Sequence, residues 1–398
     1  MMAAPAREAA ADLVEIEGFR FPRFDLARLF RTVFQPGAGE RVAVFTDLVD
    51  PADVVGRKFL DMPGYDVQRH AWHTLYEGLL ARRAELALAG VDFYGYEQTG
   101  GSNLDLPETV TTLEGKTLSM REAFTSHTIV IFMGTYSATA PATALAKELS
   151  VRGATMHGAN DKILATGLAV DYEQVSARAE RLRRAMSHAD RFKMEWTVPS
   201  RKGGPKELSC VVELGRQEAQ KSHGLVRGTG DIANLPAGEV YFVPTGAEGH
   251  LPRQLEDDEE TIAIYRVSGG KIVSLEEVVR GSRANAEALI TTIADDPNVG
   301  AITELGLGTQ SLPFSGQDIQ DEKVLGTAHL ATGRSDHLGG KVGPKAFKHR
   351  KNASHNDILW APLKTPAVEL TRVSMEKDGK WTELMNKYQP SEFVKALL

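Results

Sequence analysis

The chain has 398 residues, with 42% hydrophobic and 25% charged residues and a formal net charge of −7. That length calls for two domains, or three, the composition is that of a soluble globular protein, and the acidic balance argues against a general nucleic-acid binder. There is no run of about 18 apolar residues, which excludes a membrane-spanning helix.

The first residues, MMAAPAREAAADLVEIEG, lack a basic start and an apolar centre, so they read as a short ragged leader and not as a secretion signal. Leu26, Leu29, Phe30 and Val33 recur at helical spacing, and Arg41 to Thr46 follow as a short β run before Asp47. Leu75 to Leu88 is expected as a helix ended by Gly90, then VDFYGYEQTG as a strand entering a Gly-rich turn. Ser119 to Ser126 reads as helix, His127 to Met133 as a buried strand, Pro141 to Ser150 as helix, and ATMHG around Met156 as another strand. Such alternation implies a mostly parallel sheet with helices on its faces. Ligands of such sheets gather at the carboxyl ends of strands. Here those ends carry Thr46-Asp47, Gln98 to Ser102 and Gly134 to Ser137, none with the spacing of a phosphate-binding glycine loop. Tyr96, Gln98 and Tyr136 are placed to roof a cleft, or simply to pack.

A helix from about Tyr172 to His188, with Val175, Leu182 and Met186 as its apolar stripe, leads into a different texture. After Asp190 short β runs dominate: FKMEWTV, ELSCVVEL, EVYFVP, TIAIYRV, KIVSL, AITELGLG, LGTAHLAT, HNDILWAP and AVELTRVSM. Ser268-Gly269-Gly270 and Lys377-Asp378-Gly379 supply turns, and one helix, Arg283 to Ala294, interrupts the strands. The expected organisation is an α/β N-terminal domain, residues 1–171, followed by an α+β C-terminal domain, residues 172–398, built on a large, mainly antiparallel sheet. The single cysteine, Cys210, sits in the apolar run LSCVVEL as a buried small hydrophobe, consistent with a reducing cytoplasm.

Five residues of the second domain have the composition of a metal-ligand set: Glu239, Glu304, His329, His355 and Asp357. Each lies on, or at the mouth of, a short apolar strand. His355 and Asp357 are two apart, so on a strand both project from one face. An imidazole- and carboxylate-rich shell suits Zn, Co, Mn or Fe better than Ca or Mg. Taken singly, each residue also fits an ordinary solvated or ion-paired side chain. The basic stretch Lys341, Lys345, Lys348, His349, Arg350 and Lys351 falls between two of these positions; Lys348 and Arg350 are candidates to attract an anionic substrate, and Arg227 to bind a substrate carboxylate bidentately. A solvated loop and a structural ion pair are the alternatives. His70 and His73 share a helical face without carboxylates in register; His223 and His250 carry less weight.

NLPAGEVYFVP (234–244), ITELGLGTQ (302–310), EKVLGTAHLATG (322–333) and SHNDILW (354–360) resemble, in order and at comparable spacing, the successive motifs of the aminopeptidase T and aminopeptidase S-like thermophilic metallopeptidases. The resemblance implies a metallopeptidase-like two-domain architecture and a homodimer that encloses its active sites. It also implies one or two divalent ions on Glu239, Glu304, His329, His355 and Asp357, and hydrolysis of amide bonds in small peptides by a metal-activated water, with Glu304 or Glu239 as general base. The chain departs from the family where a tyrosine follows the His329 motif. Gly333 to Gly340 has none, and Asp336 or His337 stands in its place as proton donor, extra ligand or loop residue. A relative of the same fold, 2,5-dihydroxypyridine 5,6-dioxygenase, uses one ferrous ion on two histidines and a carboxylate. His329, His355 and Asp357 match that composition, so ring-cleaving dioxygenation of a hydroxylated aromatic or pyridine is the alternative activity.

Overall fold

The computed structural model describes residues 13–200, 203–255 and 258–398. Residues 1–12 of the expected leader lie outside them. The remainder of that segment is ordered: Leu13–Ile16 pairs with Phe19–Pro22 as an antiparallel hairpin. Phe21 buries itself with Leu312 and Val324, which gives the hairpin an apolar anchor that a bare leader would lack.

The first layer is a seven-stranded sheet. Its order is Ile232–Asn234, Arg152–Thr155, Ile129–Phe132, Arg41–Leu48, Gly90–Glu97, Thr109–Thr112 and Thr117–Ser119. The first five strands are parallel and the last two antiparallel. Side chains alternate across a strand: Val42 and Val44 enter one core, Ala43 and Phe45 the other. Phe45 stacks on Phe132 with centroids 4.7 Å apart. An apolar run covered on both faces is what a parallel sheet under helices requires.

The helix expected over 75–88 is found only as far as residue 81 and starts earlier. Helical backbone begins at Asp66, passes through a π-helical stretch, Ala71–Glu77, and ends at Ala81. Buried Trp72 and Leu75 anchor this earlier segment, with Trp72 edge-on to Phe93.

The helix Tyr172–Met186 joins the layers: Tyr172 and Val175 belong to the first core, Leu182 and Met186 to the second. The chain then makes an eight-stranded and a five-stranded sheet, both antiparallel. They share one core, in which Phe192 of the larger sheet meets Phe242 of the smaller, 5.5 Å between centroids. Trp196 packs on Trp360, whose indole N–H donates to Pro252 O at 3.0 Å. The division is not a single cut at 172, because strand Ile232–Asn234 and core residues Val226, Leu235 and Ala237 return to the first layer. No helix among the described residues is long and apolar enough to cross a membrane.

Candidate metal centre

The five-stranded sheet runs Gln220–Ser222, Glu239–Phe242, Ile302–Gly308, Ala328–Gly333, His355–Leu359. One face is apolar: Val240, Phe242, Leu305, Leu307, Ala328, Leu330 and Ile358 enter the shared core. The register fixes what stands on the other face. Glu239 pairs with Gly308, Tyr241 with Gly306, Gly306 in turn with His329, Glu304 with Ala331, Ala331 with Asp357, and Gly333 with His355. All five proposed ligands therefore share one face across four adjacent strands, separated by glycines and an alanine. That smallness has a purpose: a Cβ at Gly306 would fall 2.2 Å from both Glu239 Oε1 and His329 Cε1.

The side chains converge. His355 Nε2 lies 2.8 Å from Glu304 Oε2 and 3.2 Å from Asp357 Oδ1. His329 Nε2 lies 3.2 Å from Glu239 Oε1 and 3.8 Å from both Glu304 Oε1 and Asp357 Oδ1. Donor atoms within 4.8 Å of one another define three overlapping groups: Glu239, Glu304 and His329; Glu304, His355 and Asp357; Glu322, His329 and Asp357. Two ligands about 2.1 Å from one ion are at most about 4.2 Å apart; the five nitrogen–oxygen distances obey that limit, and although His329 and His355 fall in different groups, Asp357 Oδ1 is within it of both. Glu239 Oε1 and Asp357 Oδ1 are buried acceptors that meet no donor in hydrogen-bonding geometry among the described residues. Such orphaned acceptors are what a bound cation would satisfy. The donor set fits a divalent metal.

The supporting bonds point the same way. His355 Nδ1 donates to Arg334 O at 2.5 Å, which fixes the ring and turns Nε2 towards the carboxylates. Arg334, 3% exposed, grips Asp336 through Nε to Oδ1 at 2.6 Å and Nη2 to Oδ2 at 3.1 Å. Asp336 thus orients the arginine and is not among the residues lining the cleft. His337 does line it, edge-on to His355 with centroids 4.9 Å apart, and its Nδ1 has no described partner.

Charge is distributed unevenly. Burial lifts the Glu239 carboxyl to about 7, against the pull of Lys323 and His329. Burial also raises Glu304, but bonds from His329 and His355 outweigh it and hold the group at about 2. Asp357 is likewise lowered, burial being overcome by the charge of His355. Burial would depress His329, yet the Glu239 charge carries it to about 10; His355 rises too, for the sake of Asp357. His337, buried and beside His355, drops to about 3 and stays neutral.

Sequence reasoning missed three participants. Lys323, 1% exposed, places Nζ 2.6 Å from Glu239 Oε2 and also bonds Glu322 Oε1; the two carboxylates keep it protonated despite burial. Its signal was present, a Glu-Lys pair opening the apolar motif EKVLGTAHLATG. His157, at the end of strand Arg152–Thr155, lines the cleft from the other layer; burial depresses it to about 4 and its Nδ1 is unpartnered among described residues. Tyr241 stands two residues beyond Glu239 on the same face, its hydroxyl 3.2 Å from Gln220 Oε1. Gln220 Nε2 reaches Leu338 O at 2.8 Å, tying down the turn that carries His337.

The remaining expected site residues are placed away from the cleft of about 1410 Å³ that these groups line. Arg227 pairs with Glu173 and bonds Thr32 O at 3.0 Å. Lys348 pairs with Asp295, as does His349, and Arg350 with Asp105 at 2.7 Å. The basic loop is pinned by these acids and does not line the cleft. Of the lesser candidates, His70 approaches Asp161, His73 Glu77 and His250 Glu276. His223 and Tyr136 line the cleft, Gln98 donates to Thr135 Oγ1, and Tyr96 is buried in the first layer.

Fold and site together define a two-layer α/β protein with a buried imidazole–carboxylate centre on the open face of an antiparallel sheet. No family model matches the chain, and no curated protein matches it. Among solved structures it is similar to 2,5-dihydroxypyridine dioxygenase from Pseudomonas putida KT2440. The two share 15% sequence identity with a TM-score of 0.57, over 92% of this chain and 97% of that one. At that identity the likeness speaks for the fold. It falls on the dioxygenase side of the resemblance drawn from the motifs.

Proposed function

We propose that the chain is a metal-dependent oxygenase, holding one divalent ion on His329, His355 and Asp357 and cleaving a hydroxylated aromatic or N-heteroaromatic ring with dioxygen. The observation that carries this reading is Lys323. Its ammonium group already binds Glu239 Oε2, so a second ion beside Glu239 would face a like charge across a buried gap of low dielectric. The extent of the likeness to a dioxygenase supports it as well. Two imidazoles and a carboxylate are a ligand composition suited to ferrous iron, which when bound supplies open positions for dioxygen and an oxygen-bearing substrate.

The chain's own residues do the rest. Arg334 O holds the His355 ring in one orientation, and Asp336 holds Arg334. Glu304, held as a carboxylate, attracts a substrate hydroxyl proton or serves as a further oxygen ligand. His337 and His157, both kept neutral by burial, flank the cleft with unpartnered Nδ1 atoms able to give or accept a hydrogen bond.

A second reading, amide hydrolysis by a water between two ions, is favoured by one observation: Glu304 turns Oε1 towards His329 at 3.8 Å and Oε2 towards His355 at 2.8 Å, as a bridging carboxylate would. Elemental analysis with oxygen-electrode assays separates the two. One iron per chain and dioxygen uptake with hydroxylated pyridines or catechols is the expected result. Two zinc ions per chain, with oxygen-independent release of amino acids from dipeptides, would replace it by the hydrolase.

A further inference from the structure

The wall facing the proposed ligands comes from the first layer and is rich in amides and hydroxyls. Asn103, 5% exposed, lines the cleft in a left-handed conformation, φ 61°. Its surroundings hold it there: Asn103 N donates to Ser137 O at 2.7 Å, and Arg334 Nη1 donates to Asn103 O at 3.4 Å. Ala140 N, in the first turn of the helix Thr139–Leu149, donates to Asn103 Oδ1 at 2.9 Å. A backbone N–H can only donate, so the amide orientation is forced, oxygen towards the helix and nitrogen away from it. Nδ2 bonds to no described residue. Asn234 lines the cleft beside it. Its amide end meets the hydroxyls of Thr139 at 2.5 Å and Thr155 at 2.6 Å, which stand 2.7 Å from each other.

The Asn103 amide nitrogen, which can only donate, therefore stands at the start of an 11-residue helix whose first N–H groups are met by Ser137 Oγ at 3.4 Å and Asn103 Oδ1 at 2.9 Å. The helix N-terminus carries partial positive charge, and the Ala140–Asn103 bond polarises the amide so that Nδ2 becomes a better donor. We infer that Asn103, with Asn234 beside it, binds a carboxylate or other oxyanion of the substrate on the wall of the cleft that the first layer supplies. The inference rests on the reading of this cleft as the active site. It also supplies an anion subsite in place of the one expected from Arg227, Lys348 and Arg350.

The test uses the full chain loaded with Zn(II), a redox-silent stand-in, and titration calorimetry. The probes are linear dicarboxylates from malonate to suberate and monocarboxylates of matched length. At one chain length the wild type should bind the dicarboxylate roughly tenfold more tightly than its monocarboxylate, the gain of one bond to a charged group. Asn103→Asp keeps the acceptor for Ala140 N and converts the free donor into an acceptor; Asn234→Asp places a further carboxylate beside it. Both variants should lose the preference while binding monocarboxylate as before. An absent preference at every length, or one that survives in both variants, overturns the inference and leaves the metal site standing. If neither Zn(II) nor monocarboxylate binds the wild type, the active-site reading falls and the subsite falls with it.

Discussion

Asp47 and Asp357 are both carboxylates drawn into the protein by strands, and they end in opposite conditions. Asp47, at the carboxyl end of the Arg41–Leu48 strand, accepts Thr135 N at 2.7 Å, Tyr136 N at 3.1 Å and Gln68 Nε2 at 2.7 Å. Gly134 lies so close that a Cβ there would come 2.4 Å from Asp47 Oδ1. Burial still raises the Asp47 carboxyl, but its neighbours leave no space for a ligand. Asp357 Oδ1 faces two imidazoles and meets no donor in bonding geometry. A buried carboxylate closed by backbone N–H groups is structural; one left open to imidazoles, across a floor of glycines, is built for a cation.

That contrast can be broken at its open end first. His355→Ala should lower divalent-ion affinity by more than about 100-fold, since even supporting groups are worth about 10–100-fold, and abolish turnover. Thermal unfolding of the metal-free variant should stay cooperative, because the opposite face of the sheet keeps its core. Full activity in that variant would remove the assignment. Gly306→Ala should lose the ion as well, by crowding His329 and Glu239 without deleting a ligand; calorimetric metal titration reads both.

Lys323→Met sharpens the argument for a single ion. Removing a buried cation from between two carboxylates should destabilise the metal-free protein by about 3–5 kcal/mol in urea unfolding. It should also let excess zinc bind as a second ion beside Glu239. A stoichiometry that stays at one would show that Lys323 is not what limits the count.

At the closed end, Asp47→Ala strands Thr135 N and Tyr136 N, and should destabilise by about 2–3 kcal/mol while metal stoichiometry stays unchanged. The smallest effect belongs to Glu40, which binds Arg152 through two bonds of 2.7 Å. Burial raises this carboxyl, but the Arg152 bond outweighs it and sets it below the usual 4.5. A depressed folded value means stability that is present above the unfolded value and is lost as pH falls through the folded one. Glu40→Gln should therefore cost about 1 kcal/mol at neutral pH, after allowing for solvent screening. It should also flatten the decline of stability below pH 4.5, read by urea unfolding across pH.

Sequence and structure agree best where a side chain's role follows from its strand. His355 and Asp357 share a face because they are two apart, and the apolar residues between the other ligands mark the buried face. Other elements escaped for local reasons. The strand Gly246–Gln254 contains Pro252 and two glycines, one of which, Gly249, must lie against Ser209 O; such a segment reads as a turn until its neighbours are known. The helix over 66–81 depends on Trp72 meeting Phe93, a contact between segments about twenty residues apart.

By itself the sequence determined the βα alternation of the first layer, the strand-rich second half, and a set of histidines and carboxylates on strands of period two. Period and polarity are local properties, and they survive any arrangement of the sheets. Only the tertiary structure decided that Lys323 lies against Glu239, that the basic loop is held by Asp105 and Asp295, and that Asn103, Asn234 and His157 line the same cleft from the other layer. Those relations join residues far apart in the chain, through packing between layers that no local pattern encodes.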